Sequence, residues 1–290
     1  MERWDRGCLS AAQAELVAGW LGAPELVEDL SWGLTDTKVL KVRVGGLTRI
    51  VKAAGPDNHH LHREITAHAT YTRPLLAAGL APLMLHSSRS ANVLVLEYLD
   101  GDLVEDTAKE LDRGLHRQAG KLLSMLHAED HRMDDQYEAR ATQKALSWLD
   151  RHHRIDPRLE RDARRHLMDY SPSPVRVVPT HGDWHPRNWI SHEGRLKAID
   201  FGRFDFRPAA SDFCRLSAQQ WQKDPALESA FLDGYGGDPR AQHPWRIEVL
   251  REAVGTAVWA FHVGDTAFEA QGHRMLGQAL QNFPAGKPRG

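Results

Sequence analysis

The sequence has little cysteine, no long hydrophobic run and almost no net charge, and each absence excludes a class of protein. Its two cysteines, Cys8 and Cys214, lie far apart and match no metal-binding spacing. This argues against a disulfide framework and favours a reducing compartment. No apolar run approaches the roughly 18 residues of a membrane-spanning helix, and the first residues lack the apolar core of a signal peptide. We therefore expect a cytoplasmic protein with no membrane partner.

The charge balance excludes a second class of protein. The formal net charge is -2 and the sequence pI is about 6.8. A chain without a basic excess has no electrostatic footprint for nucleic acid, so we expect no nucleic-acid partner. The 290 residues are enough to bury the core of one large or two moderate domains. The composition does not indicate an oligomeric state.

The most informative feature is a set of three polar residues at fixed spacing. It is contained in two stretches, THGDWHPRNWI over residues 180–190 and LKAIDFG over residues 196–202. Asp183 lies five positions before Asn188, and Asp200 lies twelve positions after it. Phosphoryl transfer from a nucleoside triphosphate needs one carboxylate to orient the attacking hydroxyl, and an amide with a second carboxylate to hold Mg²⁺. Protein kinases show this spacing as H-R-D-x-x-x-x-N followed by D-F-G, whereas here Gly182 replaces the Arg.

With that glycine, the pattern H-G-D-x-x-x-x-N followed by I-D-F resembles the aminoglycoside phosphotransferase and choline kinase-like family of small-molecule kinases. The resemblance extends over most of the chain and implies an α+β, two-lobed protein-kinase-like fold. A small N-terminal nucleotide-binding lobe with an antiparallel sheet would span residues 1–98. A larger, mostly helical C-terminal lobe would span residues 99–290, with the catalytic loop at 180–202 and a helical substrate subdomain at 209–290.

The resemblance also implies roles for the spaced residues. Asp183 is the expected catalytic carboxylate, and Asn188 and Asp200 are the expected Mg²⁺ ligands, because few oxygen ligands completed by phosphates and water suit Mg²⁺. A polar hairpin turn capped by Asp183 is the alternative, but it does not explain the spacing of Asn188 and Asp200. The expected nucleotide is ATP, with GTP left open. Three further residues are expected to support the catalytic loop: His181, His185 and Asp212.

The N-terminal third predicts the nucleotide site. Residues 31–53 predict a strand, a loop, a strand over 39–44, a two-residue Gly-Gly turn and a return strand over 47–53. In the resembling family the first loop covers the nucleotide phosphates, and the residues here that fit this role are Ser31, Gly33, Thr35 and Thr37. An ordinary polar hairpin turn is the alternative.

Lys52 resembles the kinase lysine that contacts the α- and β-phosphates. Glu64 lies twelve positions later on a predicted helix, and it would orient the lysine and keep it charged by ion pairing. A solvated surface pair is the alternative. After the last strand of the sheet, the backbone of Glu97 and Leu99 is expected to contact the adenine edge.

The acceptor is less clearly indicated. An amphipathic helix is predicted over 111–128, with an apolar stripe that starts at Leu111. Residues 209–290 carry nine acidic and eight basic side chains, which is nearly balanced, whereas a polycationic aminoglycoside favours a more acidic cleft. The substrate candidates on this subdomain are Asp265, Glu269 and Trp259. Glu248 and Glu252 form a second acidic pair on one helix face, and solvent exposure is the alternative for both pairs.

The sequence thus predicts an ATP- and Mg²⁺-dependent O-phosphotransferase that acts on a hydroxyl of a small molecule. The favoured acceptor is an antibiotic that is inactivated, either an aminoglycoside or another sugar- or nucleoside-containing antibiotic. One departure from the family pattern, Arg207, removes an acidic group near the site and weakens the direct analogy with family members that bind polycations. The alternatives are a metabolic kinase for choline, a sugar or an amino alcohol, and a catalytically inactive kinase-shaped binding module.

Overall fold

The computed structural model describes residues 3–283, apart from the side chains of residues 242 and 243. The ends of both predicted lobes, residues 1–2 and 284–290, lie outside the described residues, and so do two of the eight basic side chains counted above. Among the described residues, no helix combines the length and the hydropathy needed to cross a bilayer. Cys8 and Cys214 are both free thiols.

The first part of the chain is built around one antiparallel sheet. Its elements are α1 (Ala11–Leu21), β1 (Glu25–Asp29), β2 (Lys38–Val44), β3 (Leu47–Ala53), α2 (His60–Thr66), a π-helical turn (Ala67–Tyr71), α3 (Arg73–Ala77), β4 (Met84–Ser88) and β5 (Val93–Glu97). The strand order is β1-β2-β3-β5-β4. Helix α1 begins with a capping box formed by Ser10 and Gln13, a feature that the spacing Ser10-x-x-Gln13 indicates in the sequence itself.

The sheet directs Lys52 toward α2. Lys52 on β3 pairs with Leu94 on β5, and directly paired residues project from the same face of a sheet. Leu94 packs in an apolar cluster with Leu61 and Ile65 of α2. Lys52 therefore faces the helix that carries Glu64.

The second part of the chain is mainly helical. Its helices are α4 (Arg113–His127), α5 (Tyr137–Leu149), α6 (Pro157–Met168), α7 (Cys214–Ala218), α8 (Gln220–Lys223), α9 (Pro225–Tyr235), α10 (Gln242–Val263) and α11 (Thr266–Gln281), with 3-10 turns at Ala108–Leu111, Pro186–Asn188 and Ala209–Phe213. Its strands are β6 (Asp102–Leu103), β7 (Arg132–Asp134), β8 (Val175–Thr180), β9 (Trp189–His192), β10 (Arg195–Ala198) and β11 (Asp205–Arg207). They form two three-stranded sheets, β10-β9-β6 and β11-β8-β7.

These two small sheets position the catalytic stretch. The stretch leaves β8 at Thr180 and enters β9 at Trp189, while β11 pairs with β8 through Thr180 and Asp205. Trp184 and Trp189 are fully buried in the largest apolar cluster, so they are packing residues. The boundary between lobes at residues 98 and 99 stays a prediction, although β5 ends at Glu97.

Two predicted boundaries are wrong. The first strand of the sheet is Glu25–Asp29, whereas the sequence placed it from residue 31. Helix α4 starts at Arg113 because the Asp112 side chain caps it by accepting from the Leu115 N–H. Leu111 therefore lies in the preceding 3-10 turn, where it is exposed, and it does not belong to the buried stripe.

Candidate active site

Lys52 connects the sheet to both expected acidic partners. Its Nζ donates to Glu64 Oε1 at 2.8 Å and Oε2 at 3.0 Å, and to Asp200 Oδ1 at 2.8 Å. Burial alone would lower the pKa of Lys52, but the charges of Asp200 and Glu64 raise it above the ordinary value. Burial raises the pKa of Glu64, and Lys52 opposes that shift. Desolvation would also raise the pKa of Asp200, but Lys52 holds that pKa below the ordinary value. The lysine thus stays cationic and holds Asp200 in place.

Asn188 and Asp200 offer oxygen atoms suited to a magnesium ion. The Asn188 Nδ2 donates to the Asp183 carbonyl at 2.7 Å and to Asp183 Oδ2 at 3.2 Å. Those bonds occupy the donor side of the amide, and no hydrogen bond within residues 3–283 engages its Oδ1. The Ile199 N–H donates to the Asn188 carbonyl at 3.0 Å, which ties the segment before Asp200 to the loop. A carboxylate and an amide oxygen are ligands that Mg²⁺ accepts when phosphates and water complete its shell.

Asp183 is buried among cationic side chains. Its Oδ1 lies 3.0 Å from Arg215 Nη1, 3.5 Å from His185 Nε2 and 3.8 Å from Arg203 Nη1. Burial would raise the pKa of Asp183, but Arg215, His185 and Arg203 hold it well below its ordinary range. Its Oδ1 is buried and accepts no hydrogen bond among the described residues, so an oxygen with unused hydrogen-bonding capacity lies among these cations.

The expected supporting residues hold the catalytic stretch. Asp212 lies in the 3-10 turn Ala209–Phe213, where its carboxylate accepts from the His181 N–H at 2.7 Å and the Gly182 N–H at 2.6 Å. His127 Nε2 contacts the same carboxylate at 3.1 Å, and the pKa of Asp212 is lowered by this contact in spite of burial. His181 contacts the Ile199 carbonyl through Nε2 at 3.0 Å. The start of the loop is therefore fixed by two sets of contacts, one with the Asp212 carboxylate and one between His181 and the Ile199 carbonyl.

Gly182 can only be glycine in this arrangement. Its φ is +80°, in the left-handed region. A Cβ at this position would lie 2.2 Å from the Arg203 carbonyl oxygen and 2.3 Å from Arg207 Nη1. The Arg207 guanidinium therefore lies directly against the residue that precedes Asp183, and it also donates to Thr180 Oγ1 at 3.1 Å.

The expected phosphate loop lies between β1 and β2, with mixed roles for its residues. The N–H and hydroxyl of Ser31 both donate to Asp29 Oδ1, and the Ser31 Oγ accepts from the Val39 N–H. These contacts fix the loop through Ser31. They occupy the N–H and hydroxyl donors of Ser31 and so disfavour the predicted phosphate contact through those groups. Thr37 Oγ1 accepts from Asn58 Nδ2 at 3.1 Å. Gly33 and Thr35 are exposed at the tip, where a phosphate contact stays a prediction.

The expected adenine contacts lie where the sheet ends. Glu97 is the last residue of β5, and its N–H donates to the Leu83 carbonyl at 2.9 Å. Leu99 follows outside any helix or strand and is half-buried. The structure thus places both residues on the segment between the sheet and the helical part, and their contact with a base stays a prediction.

A cavity of about 550 Å³ opens beside the catalytic stretch. Gly182 and Arg203 line it on the catalytic side, and α5 and α10 form another wall. Trp259, a predicted substrate residue, lines the cavity and also packs against Trp32 of the phosphate loop with ring centroids 5.8 Å apart. Asp183 itself is not part of this lining, but its neighbour Gly182 and its ion-pair partners Arg203 and Arg215 are.

The structure does not bring the two predicted substrate carboxylates to the cavity. Asp265 caps α11 by accepting from the Phe268 N–H at 2.9 Å. The buried Glu269 forms an ion pair with Arg154. Neither residue is part of the cavity lining, because α11 turns this face toward α6 and the segment before it. Glu248 and Glu252, the second acidic pair in the sequence, line the cavity in their place.

Three functional candidates were not predicted from the sequence. Arg203 follows Asp200 by three positions, and that proximity was the only available signal. Arg215 on α7 reaches Asp183 and also contacts Glu252 through Nε at 3.2 Å. Lys144 on α5 lines the cavity. No local pattern marks the last two residues, since their positions at the site depend on the packing of elements distant in the chain.

Comparison with known proteins adds a family and a set of folds. A family model described as phosphotransferase enzyme family, APH, matches residues 27–245. No curated protein sequence matches the chain. Solved structures with the same fold are numerous.

Three of these structures illustrate the range. A thermostable mutant of aminoglycoside phosphotransferase APH(4)-Ia, in its apo form, is 14% identical, with a TM-score of 0.66 over 92% of this chain and 98% of that chain. Macrolide 2'-phosphotransferase MphH from Brachybacterium faecium is 19% identical, with a TM-score of 0.61 over 92% and 98%. Spectinomycin phosphotransferase APH(9)-Ia, in complex with ADP and spectinomycin, is 12% identical, with a TM-score of 0.62 over 93% and 97%. At these identities the comparison concerns the fold, and the predicted two-lobed kinase-like fold is confirmed.

Proposed function

We propose that this chain, which belongs to the phosphotransferase enzyme family, transfers the γ-phosphoryl group of ATP to a hydroxyl of a small molecule. The reaction would depend on Mg²⁺. The family assignment confirms the resemblance seen in the sequence and makes the protein a small-molecule kinase. The observation that carries the proposal is the convergence of three acidic or amide side chains on one lysine-anchored site. Lys52 binds Asp200 at 2.8 Å, and Asn188 binds Asp183 at 3.2 Å.

The residues would act mainly by positioning and by neutralising charge. Asn188 and Asp200 would hold Mg²⁺, which when bound would neutralise charge on the nucleotide phosphates. Lys52, kept cationic by Glu64, would contact the phosphates beside Asp200. These contacts would fix the γ-phosphate in front of Asp183, where preorganised charge lowers the barrier.

Asp183 would orient the acceptor hydroxyl through one of its carboxylate oxygens. Because Arg215 and its neighbours depress the pKa of Asp183, the carboxylate is a weak base at neutral pH. It would accept a hydrogen bond from the hydroxyl first and take the proton only as the bond to phosphorus forms. This order fits a loose transition state, in which the nucleophile needs little activation.

The acceptor class is proposed by analogy. Neighbouring structures include complexes with ADP and hygromycin B and with ADP and spectinomycin, so an antibiotic hydroxyl is the first acceptor to test. A metabolic hydroxyl compound is the second. We also propose the cytoplasm, where ATP is abundant, as the location.

The test is Mg²⁺- and ATP-dependent phosphorylation followed by mass spectrometry. The acceptor panel contains aminoglycosides, macrolides, spectinomycin, choline, simple sugars and sugar acids. We expect one acceptor to gain a phosphoryl group, and Asp183→Asn to lower turnover by at least about a hundredfold while nucleotide affinity is retained. Absence of Mg²⁺-dependent nucleotide binding, or full turnover in Asp183→Asn, would refute the proposal.

A further inference from the structure

The cavity beside Asp183 has more cationic than anionic side chains. Its lining includes six cationic side chains and four carboxylates, an excess of two positive charges with the histidines neutral. The cationic residues are Arg63, Lys144, Arg203, Arg207, Arg215 and Arg251, and the acidic ones are Asp36, Asp57, Glu248 and Glu252. The lining itself therefore offers no acidic excess to a polycation.

Both carboxylates on the α10 wall already have cationic partners. Glu252 contacts Arg215 Nε at 3.2 Å, and Glu248 contacts Arg251 Nη1 at 3.3 Å. Burial raises the pKa of Glu248, which Arg251 opposes. Each arginine also pairs with a second carboxylate, Arg215 with Asp183 and Arg251 with Glu138, so Glu252 and Glu248 are held in ion-pair networks within the protein.

Two of the cations have no such partner. Within residues 3–283, neither Lys144 nor Arg207 has a carboxylate within 4.0 Å, whereas the nearest carboxylates to Arg63 and Arg203 are 3.9 and 3.8 Å away. Burial lowers the pKa of Lys144, and the charges of Arg207, Arg203 and Arg63 lower it further, while the charge of Glu252 opposes these shifts. Cations left close together beside a cavity repel one another, and an anion placed between them would relieve that repulsion.

The nucleotide phosphates do not explain Lys144. It lies on α5, next to Ala141, Ala145 and Trp148 of the same cavity wall. The residues proposed for the nucleotide and Mg²⁺, Lys52 and Asp200 among them, lie outside this lining.

We infer that the acceptor carries an anionic group, a carboxylate or a phosphate, in addition to the hydroxyl that is phosphorylated, and that Lys144 and Arg207 bind this group. The inference rests on the proposed function and specifies its substrate class. Arg207 lies against Gly182, so the anionic group would be held close to Asp183. A polycationic aminoglycoside would be disfavoured.

The test measures ligand binding in the presence of Mg²⁺ and a non-hydrolysable ATP analogue, so that probes cannot occupy the nucleotide site. The probes are 6-phosphogluconate, gluconate, glucose and kanamycin, and their binding is measured by calorimetry. The variants are Lys144→Glu, Lys144→Arg and Lys121→Glu. Lys121 is the matched control, because it is exposed on α4 and lies outside the cavity lining.

We expect the two anionic probes to bind more tightly than glucose and kanamycin. Preference for 6-phosphogluconate over gluconate would identify a phosphate, and equal binding would identify a carboxylate. Lys144→Glu should weaken anion binding by at least about tenfold, while Lys144→Arg and Lys121→Glu should retain it.

Three results would overturn the inference. They are tighter binding of kanamycin than of the anions, no anion binding at all, and equal losses in Lys144→Glu and Lys121→Glu. Loss of nucleotide affinity in Lys144→Glu would assign the lysine to the nucleotide phosphates and would also overturn it. A wild-type protein that fails to bind the nucleotide would instead refute the proposed function, so the two failures are distinguishable.

Discussion

Replacing Arg215 by methionine should change both the stability of the protein and the pH dependence of its activity. Arg215 and Asp183 form a buried pair in which each side chain is 7% exposed and the charged atoms are 3.0 Å apart. At an effective dielectric constant of about 20, such a pair attracts by about 5 kcal/mol. Desolvation offsets part of this attraction, but removing one partner leaves the other charge buried and costs about 3 kcal/mol. Methionine keeps most of the buried volume, so the loss would be mainly electrostatic.

The sign of the pH effect follows from the direction of the pKa shift. The pKa of Asp183 is depressed in the folded protein, so the ionised carboxylate stabilises the fold above its unfolded pKa, and this contribution is lost as the pH falls through the folded pKa. Without Arg215 the folded pKa of Asp183 should rise. The acid limb of the kcat/KM profile should therefore move to higher pH, because protonated Asp183 cannot accept the hydroxyl proton.

The assay combines a kcat/KM profile between pH 4 and pH 8 with thermal unfolding at pH 7. A loss of about 3 kcal/mol should lower the Tm by roughly 6 °C in a chain of this size. The matched control is Arg187→Met, because Arg187 lies 3.6 Å from the same carboxylate but is 39% exposed and therefore screened by solvent. An acid limb that stays in place while the Tm falls would refute the electrostatic role, and equal effects of both variants would refute the argument from burial.

Two further predictions concern the metal and the catalytic stretch. Asp200→Ala should abolish the Mg²⁺ dependence of nucleotide binding and reduce turnover by at least about a hundredfold, and calorimetry with and without Mg²⁺ tests this; unchanged Mg²⁺ dependence would rule out the metal role. Gly182→Ala should destabilise the protein by at least about 2 kcal/mol, measured by chemical denaturation. Gly46→Ala is its control, since Gly46 has a φ of +82° but no atom within 4 Å of an added Cβ, and an equal loss there would show that the overlap with Arg203 and Arg207 is harmless.

Much of the framework was readable from the sequence because it depends on local patterns. The capping box at Ser10 and the hairpin at Gly45 and Gly46 use residues within a few positions of each other. The spacing of Asp183, Asn188 and Asp200 also specified a chemistry, since phosphoryl transfer needs these groups in a fixed order. Errors of boundary occurred where a side-chain cap, such as that of Asp112, decided where a helix begins.

The acceptor side of the site was decided only by the tertiary structure. Glu269 and Glu248 each belong to an acidic pair spaced four residues apart in the sequence, yet Glu269 pairs with Arg154 and Glu248 lines the cavity. The packing of α5, α7 and α10 around the catalytic stretch makes that difference, and helix periodicity carries no information about which neighbour a face will meet.

The sequence and the tertiary structure therefore determined different parts of the site. The sequence by itself determined the reaction class, because the catalytic groups lie within one stretch whose order is dictated by chemistry. The tertiary structure alone brought Lys144 and Arg207 to one cavity and Arg215 to Asp183. These side chains come from elements far apart in the chain, so their electrostatic partnership exists only once the helices have packed.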